Sequence, residues 1–189
     1  MAEALKRYPL DLDSLDFTNN GLKAKECIAL TESIAGHMEQ LKSLNFSFNR
    51  IGIQGSEFLG REVARSKLLR TLDVSNNCIG DLGVNEIAKG ISNLIHLEHL
   101  NLSNNALGKT GMVVECMENL TSMLKSSPKL RVLDMSWNNL KGPAAEVLIS
   151  GIGYNASLAK VNLSYNLLGT AGEGGATAAM AFADALLEN

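Results

Sequence analysis

Residues 69–79 read LRTLDVSNNCI, a phrase in which Leu69, Leu72, Val74 and Ile79 surround one polar residue, Asn77. Leu72 and Val74 are two residues apart, which places their side chains on the same face of a β-strand. The phrase therefore predicts a short strand with one buried face. A single short strand is compatible with many folds, so the fold is indicated by the number of copies of this phrase in the sequence.

The same phrase occurs six times in the 189 residues. The copies, numbered one to six below, begin at residues 12, 41, 69, 97, 130 and 158, so their starts are 29, 28, 28, 33 and 28 residues apart. The polar position is asparagine in every copy: Asn20, Asn49, Asn77, Asn105, Asn138 and Asn166. A repeat of this length is typical of arrays in which successive units stack side by side.

After each strand phrase, the apolar spacing changes from two residues to about 3.6, which indicates a helix. Copy three shows this with Ile87, Ile91 and Leu94, and copy five with Leu148 and Ile152. A unit of strand, turn, helix and return loop cannot bury its own apolar face, so neighbours must stack. Because helices are about 10 Å across and paired strands about 4.8 Å apart, the stack is expected to curve with the strands inside.

This pattern resembles the leucine-rich repeat family, in particular the long-repeat subclass typified by ribonuclease inhibitor. The resemblance implies an α/β fold, a right-handed leucine-rich-repeat solenoid (horseshoe arc) with a parallel β-sheet on the concave face and α-helices on the convex face. It also implies that the six asparagines are structural and form a ladder, each bonding to the backbone of its own turn and the next. An unpaired buried amide would cost about 1–3 kcal/mol.

The subclass carries a glycine-bearing turn after the strand, which copies two, three, four and six show at Gly52, Gly80, Gly108 and Gly169. Copy one has Lys23 at this position, and copy five has Lys141 followed by Gly142 and Pro143. We therefore expect the turns of copies one and five to be shaped differently. The longer fourth unit predicts an extra helical turn or a protruding loop within residues 111–129.

The predicted organisation is a short N-terminal cover over residues 1–11, followed by six repeats over residues 12–189. Residues 171–189 are rich in small and apolar side chains, and Leu186 lies 20 residues after Asn166, where a seventh copy would begin. We therefore expect the array to be a segment of a longer one. The alternative is that its C-terminal repeat buries itself against another chain, for example by end-to-end self-association.

Composition narrows the functional classes. The chain has 17 basic and 20 acidic residues and a net charge of −3, which disfavours nucleic-acid and polybasic membrane binding. Its three cysteines lie far apart, which favours a reducing, cytoplasmic location. His96 and His99 are three residues apart on a predicted strand and so face opposite sides. We expect no metal site, no cofactor and no catalytic nucleophile.

The exposed positions of the predicted sheet differ between copies. Phe48, Trp137 and Tyr165 directly precede the ladder asparagine, where the other three copies have Asn. Such rings are common anchors at protein interfaces, and the alternative is that they pack on the sheet edge. Arg131 and Lys160 belong to the same copies as Trp137 and Tyr165, which predicts a partner with an acidic segment. The candidate partner-binding residues are Phe48, Arg70, Glu98, His99, Arg131, Trp137, Lys160 and Tyr165.

The resemblance implies a non-catalytic protein–protein interaction module, a scaffold or adaptor with a concave binding surface. Two alternatives stay open. One is GTPase activation, because the Ran GTPase-activating protein contains similar repeats; Arg50, directly after Asn49, is the nearest candidate for its functional arginine. The other is a structural component of cytoskeletal or axonemal assemblies, where such arrays are frequent.

Overall fold

Six short parallel strands form one sheet in chain order. The computed structural model describes residues 12–110, 112–169 and 179–183. The strands are β1 (Ser14–Asp16), β2 (Ser43–Asn45), β3 (Thr71–Asp73), β4 (His99–Asn101), β5 (Val132–Asp134) and β6 (Lys160–Asn162). Each pairs in parallel with the next, so the order across the sheet is the order along the chain. This confirms the predicted succession of stacked units.

Five helices alternate with the strands. They are α1 (Ala24–Ile34), α2 (Gly52–Val63), α3 (Gly80–Ile91), α4 (Val113–Lys125) and α5 (Gly142–Gly153). A 3₁₀ turn, Ala35–His37, follows α1, and residues 179–183 are again helical. The α/β arc predicted from the change of period is therefore confirmed, with the sheet on one side and the helices on the other.

The strands pair without any slip in register. Leu15 lies opposite Leu44, Leu44 opposite Leu72, and the same positions continue to Leu100, Leu133 and finally Val161. Equivalent positions of the repeat therefore form straight rows across the sheet, at about 4.8 Å per strand. Side chains of one chemical type at the same repeat position in two neighbouring copies lie side by side and form a continuous surface patch.

The hydrophobic core fills the space between the sheet and the helices. Leu44 and Leu72 from the strands, and Ile34, Leu59 and Ile87 from the helices, are fully buried. Helices α2 and α3 approach so closely that a Cβ on Gly90 would overlap the carbonyl oxygen of Gly60. The absence of a side chain at residue 90 is therefore a packing requirement.

The ladder asparagines bond to backbone groups inside the arc. Asn105 donates from Nδ2 to the carbonyl oxygens of Leu102 (3.2 Å) and Val74 (3.0 Å), and its Oδ1 accepts from the N–H of Asn77 at 2.9 Å. Asn138 repeats this arrangement one copy later, towards Leu102 and Asn105. The bonds thus run to the copy's own turn and the preceding one, so the expected direction, towards the next turn, is wrong.

The two ends of the ladder differ from its middle. Asn49, Asn77, Asn105 and Asn138 are buried, whereas Asn166 is half-buried. Asn20 is exposed, and its side-chain amide donates to the carbonyl oxygen of Thr18 (3.1 Å). Within the described residues no copy precedes copy one, so the amide of Asn20 has no earlier turn to bond.

The turns leading into the helices take two forms, as expected. Gly52, Gly80 and Gly108 adopt φ values of 60°, 64° and 81°, a region that glycine enters without a steric cost. Lys23 and Lys141 are instead extended, with φ of −101° and −154°, and their helices begin directly after them. The departures in copies one and five therefore reflect a real difference in backbone path.

The extra residues of the fourth unit lie elsewhere than expected. Helix α4 begins eight residues after Asn105, whereas α3 begins three residues after Asn77, and α4 is only one residue longer (13 against 12). Most of the extension thus precedes α4, at the strand-to-helix edge, where residues 106–110 form a loop. The buried Asp81 carboxylate anchors it, accepting from the N–H groups of Gly108 (2.7 Å) and Thr110 (2.9 Å).

Two predictions fall on residues outside the described part of the chain. These are the N-terminal cover over residues 1–11 and the continuation around Leu186 at the C-terminal end; Gly111 is also outside it. Among the described helices, none is long and apolar enough to cross a membrane.

Candidate functional site

The position directly before each ladder asparagine, called the rim row here, has an unusual backbone. All six of its residues have φ between 50° and 57°: Asn19, Phe48, Asn76, Asn104, Trp137 and Tyr165. Asparagine enters this left-handed region more readily than most residues, whereas an aromatic residue there is strained by about 1–2 kcal/mol. Three copies therefore carry an aromatic ring where the backbone favours asparagine.

The rim-row rings are exposed. Phe48 is 57% exposed, Trp137 55% and Tyr165 67%. Trp137 and Tyr165, on neighbouring copies, stack with ring centroids 3.8 Å apart and an interplanar angle of 13°. Such a stack contributes about 0.5–1.5 kcal/mol, which is comparable to the strain at one position. Burial therefore does not account for the choice of aromatic residues here.

Phe48 lies apart from this pair. The copies between it and Trp137 hold Asn76 and Asn104, whose side chains are joined by a hydrogen bond from Nδ2 to Oδ1 of 2.6 Å. Phe48 and Trp137 are three strand spacings apart, a distance of about 14 Å at about 4.8 Å per spacing. The structure thus brings together two of the three predicted rings, and leaves the third beyond a polar stretch of the rim.

A row of alternating aspartates and asparagines ends the strands on the inner surface. In each copy the side chain accepts from the N–H two residues later, as Asp134 does from Ser136 at 2.9 Å. Neighbouring copies are also linked, because Asn101 donates to Asp73 and Asn162 donates to Asp134, both at 2.9 Å. The alternation supplies a donor beside each of these acceptors and keeps carboxylates from lying side by side.

The charged residues near the strand starts are paired in the first four copies and unpaired in the last two. Lys42 forms a salt bridge with Asp13 (3.2 Å), and Arg70 with Glu98 (2.8 Å). Arg131 and Lys160 are exposed, and no salt bridge joins either of them to another described residue. His99 is also exposed, on β4 beside Val132.

A cavity of about 480 Å³ opens beside the start of β5. It is lined by Glu98, Pro128, Lys129, Arg131, Ala156 and Ser157. The carboxylate of Glu98 is already bound by Arg70, and the Nζ of Lys129 lies 3.1 Å from the Nδ1 of His96. The cavity wall therefore carries two cations and one compensated carboxylate. Sequence reasoning missed Lys129, because it lies in the return loop and not in the strand phrase.

The remaining reactive side chains give no sign of chemistry. Burial raises the pKa of the Cys27 thiol to about 11 and that of Cys116 to about 12, so both are protonated at neutral pH. Cys78 is exposed. In the described part of the chain, no three His, Cys, Asp or Glu residues are grouped to hold a metal ion. Arg50 is exposed, and its backbone N–H bonds to the carbonyl oxygen of Leu22.

The basic cluster around the return loop of copy two is neutralised locally. Arg61 pairs with Glu57 (3.3 Å), Arg65 with Glu62 (2.9 Å) and Lys67 with Glu39 (2.8 Å). Ion pairs this exposed contribute little to stability, and they leave no excess positive charge for a ligand.

The match to a protein-family model agrees with the repeat structure described above. The family model described as "Leucine Rich repeat" matches residues 37–59, 65–88, 93–114 and 126–148. The chain belongs to the leucine-rich repeat family. Its period and its strand–turn–helix units are those of the ribonuclease-inhibitor-like subclass. No curated protein sequence matches the chain.

Two solved leucine-rich repeat structures resemble the arc. One is "Leiomodin-1 Actin-Binding Site 2 (ABS2)", with a TM-score of 0.55 and 14% identity, covering 99% of this chain and 86% of that one. The other is the tropomodulin C-terminal domain of Caenorhabditis elegans, with a TM-score of 0.54 and 15% identity, covering 99% of this chain and 89% of that one. At such identities the likeness shows a shared fold.

Proposed function

We propose that this leucine-rich repeat arc is a non-catalytic protein–protein interaction module, a cytoplasmic scaffold or adaptor, whose docking surface lies on copies five and six. One observation carries the proposal: Trp137 and Tyr165 form an exposed stack on backbone that favours asparagine. Strain retained at an exposed position points to a role outside the fold. Aromatic anchors of this kind dominate the binding energy of many protein interfaces.

The surroundings of the stack support docking. Arg131 and Lys160 belong to the same two copies and have no salt bridge to another described residue, so their charges are available to a partner. Arginine and aromatic residues are enriched at interface centres, whereas isolated exposed lysines are common anywhere. The patch thus combines an apolar anchor with charges that can orient a partner.

The test replaces both rings with the residue that other copies use in the same row. A Trp137→Asn, Tyr165→Asn double variant suits the left-handed backbone, so the fold should be kept. Affinity capture from cell extract, quantified by mass spectrometry, should lose specific partners at least tenfold relative to the unchanged protein. Tyr154→Asn is the matched control, because Tyr154 is a 70% exposed ring away from the rim. Equal capture by the double variant would contradict the proposal.

Actin is the first partner to test. The leiomodin-1 structure that shares this fold is an actin-binding site, which favours a cytoskeletal role among the open alternatives. The purified protein should sediment with actin filaments, and the double ring variant should sediment at least tenfold less. Sedimentation no greater than that of the protein alone would exclude filamentous actin as the partner. Capture of another partner that depends on the rings would then still support the docking surface.

A further inference from the structure

We propose, resting on the docking surface above, that the partner segment is extended and carries three features in order: a carboxylate, a cation or hydrogen-bond donor, and an apolar residue. The surface that these features meet, called the docking track here, runs along β5 and β6. It consists of Arg131, Lys160, Asp134, Trp137 and Tyr165. This refines the expectation of a partner with an acidic segment, since it adds a position for a cation or donor and a position for an apolar residue.

The first end of the docking track is cationic. Arg131 lines the 480 Å³ cavity together with Lys129, and the third charged residue of that wall, Glu98, is bound to Arg70 at 2.8 Å. Lys160 lies on β6, directly opposite Val132 in the register. A carboxylate placed here meets cations whose charge is not otherwise compensated, so this end selects an acidic residue.

The middle of the docking track is acidic. Asp134 lies two residues beyond Val132 on the same face of β5, and no described cation forms a salt bridge with it. Its Oδ1 accepts from the N–H (2.9 Å) and the hydroxyl (2.6 Å) of Ser136, and its Oδ2 accepts from the amide of Asn162 (2.9 Å), so Oδ2 keeps one acceptor position for a partner. A second acidic residue of the partner would be repelled here, whereas a lysine, arginine or amide would be bound.

The far end of the docking track is apolar. The stacked rings of Trp137 and Tyr165 present a flat surface more than half exposed, with the tyrosine hydroxyl and the indole N–H as polar handles. A leucine, proline or aromatic side chain of the partner would cover these rings and exclude water from them.

The spacing of the three features sets the length of the segment. Val132, the register partner of Lys160, and Asp134 are two residues apart on one face of β5, about 7 Å at 3.3 Å per residue, and Trp137 follows three residues after β5 ends. The track is two strands wide, roughly 10 Å with side chains, which suits a single extended chain. We therefore expect the acidic and apolar residues of the partner to be separated by about four to six positions.

Copies three and four show that the pattern is confined to one end of the arc. Asp73 is bound by the amide of Asn101 just as Asp134 is bound by that of Asn162, so the carboxylate row does not distinguish the two regions. The other rows of copies three and four hold Arg70 paired with Glu98 and the hydrogen-bonded amides Asn76 and Asn104. Those groups satisfy one another within the protein. In copies five and six the cations and the rings are left for a partner.

The experiment uses an unbiased 12-residue peptide display library on the purified full chain. Selection should enrich peptides with Asp or Glu, then Lys, Arg, Asn or Gln, then an aromatic residue, Leu or Pro, in this order or its reverse. A synthetic consensus peptide should bind at least tenfold more weakly to Lys160→Ser and several-fold more weakly to Asp134→Asn. Both substitutions borrow the residue that other copies have in that row. Lys42→Ser, which removes an exposed lysine of copy two, should leave the affinity unchanged.

The outcomes separate the two proposals. Enriched peptides that need Trp137 and Tyr165 but are uniformly acidic, or that bind Asp134→Asn equally well, overturn this inference and leave the docking surface standing. Peptides that bind the double ring variant as well as the unchanged protein overturn the docking surface itself, and this inference with it.

Discussion

Trp137 and Asn138 are consecutive residues with opposite roles. Asn138 is 4% exposed and bonds to backbone groups of two copies, whereas Trp137 is 55% exposed and touches the ring of its neighbour. The same contrast holds between the whole interior of the arc and the rim of copies five and six. The interior residues are the same in each copy because neighbouring copies must pack in register. The rim residues are not bound by this requirement, and we expect their differences to determine which partner binds.

The largest expected difference between the buried interior and the exposed surface is in thiol reactivity. Cys78 is exposed just beyond the ladder, whereas Cys116 is buried and its pKa is raised to about 12. Because thiolate is the reactive form and Cys116 reacts only after the array opens, we expect its labelling to be at least about 1,000-fold slower. Mass spectrometry of timed labelling at pH 8, with and without denaturant, measures both rates. Equal rates in the folded protein would contradict a closed interior.

The next effect concerns the ladder itself. Asn105→Ala leaves the N–H of Asn77 and the carbonyl oxygens of Val74 and Leu102 without this partner, in a fully buried setting. We expect the free energy of unfolding to fall by about 3 kcal/mol. Asn20→Ala is the matched control at the exposed end of the ladder, with an expected loss below about 0.5 kcal/mol. Denaturant titration measures both, and a similar loss for the two would show that the interior ladder is not special.

A smaller loss is expected from closing the gap between α2 and α3. Gly90→Ala adds a methyl group against the backbone of Gly60, and the two helices must separate. We expect a loss of about 2 kcal/mol. Gly36→Ala is the matched control, since a Cβ there meets nothing within 4 Å. Thermal unfolding of the two variants compares them, and an equal melting temperature would contradict the close approach.

Much of this structure was predictable from the repeat. The six strands, their parallel order and the burial of the four inner ladder asparagines follow from a phrase that recurs at near-constant spacing. The direction of the ladder hydrogen bonds could not be predicted. The repeated phrase is equally compatible with bonds from each asparagine to the preceding copy or to the next one. The extra residues of the fourth unit were placed too late in the chain, because no proline near residue 113 marks the start of α4. Asp81, the residue that anchors the loop 106–110, lies one copy earlier.

The candidate site was predictable only in part. Asparagine at three of the six rim positions was the available signal for left-handed backbone, since asparagine tolerates it better than most residues. The pairing of Arg70 with Glu98, and the absence of such a salt bridge at Arg131, required side-chain positions in three dimensions. Sequence identified the residues of the rim, while geometry showed which of them form one surface.

The most direct test of the docking account is the free energy of unfolding of the Trp137→Asn, Tyr165→Asn double variant. Losing the stack costs about 0.5–1.5 kcal/mol, and relief of backbone strain at two positions offsets it. Denaturant titration should therefore give a value equal to that of the unchanged protein or higher by up to about 3 kcal/mol. A loss above about 2 kcal/mol would show that the rings are packing residues of the fold and contradict their assignment to a partner.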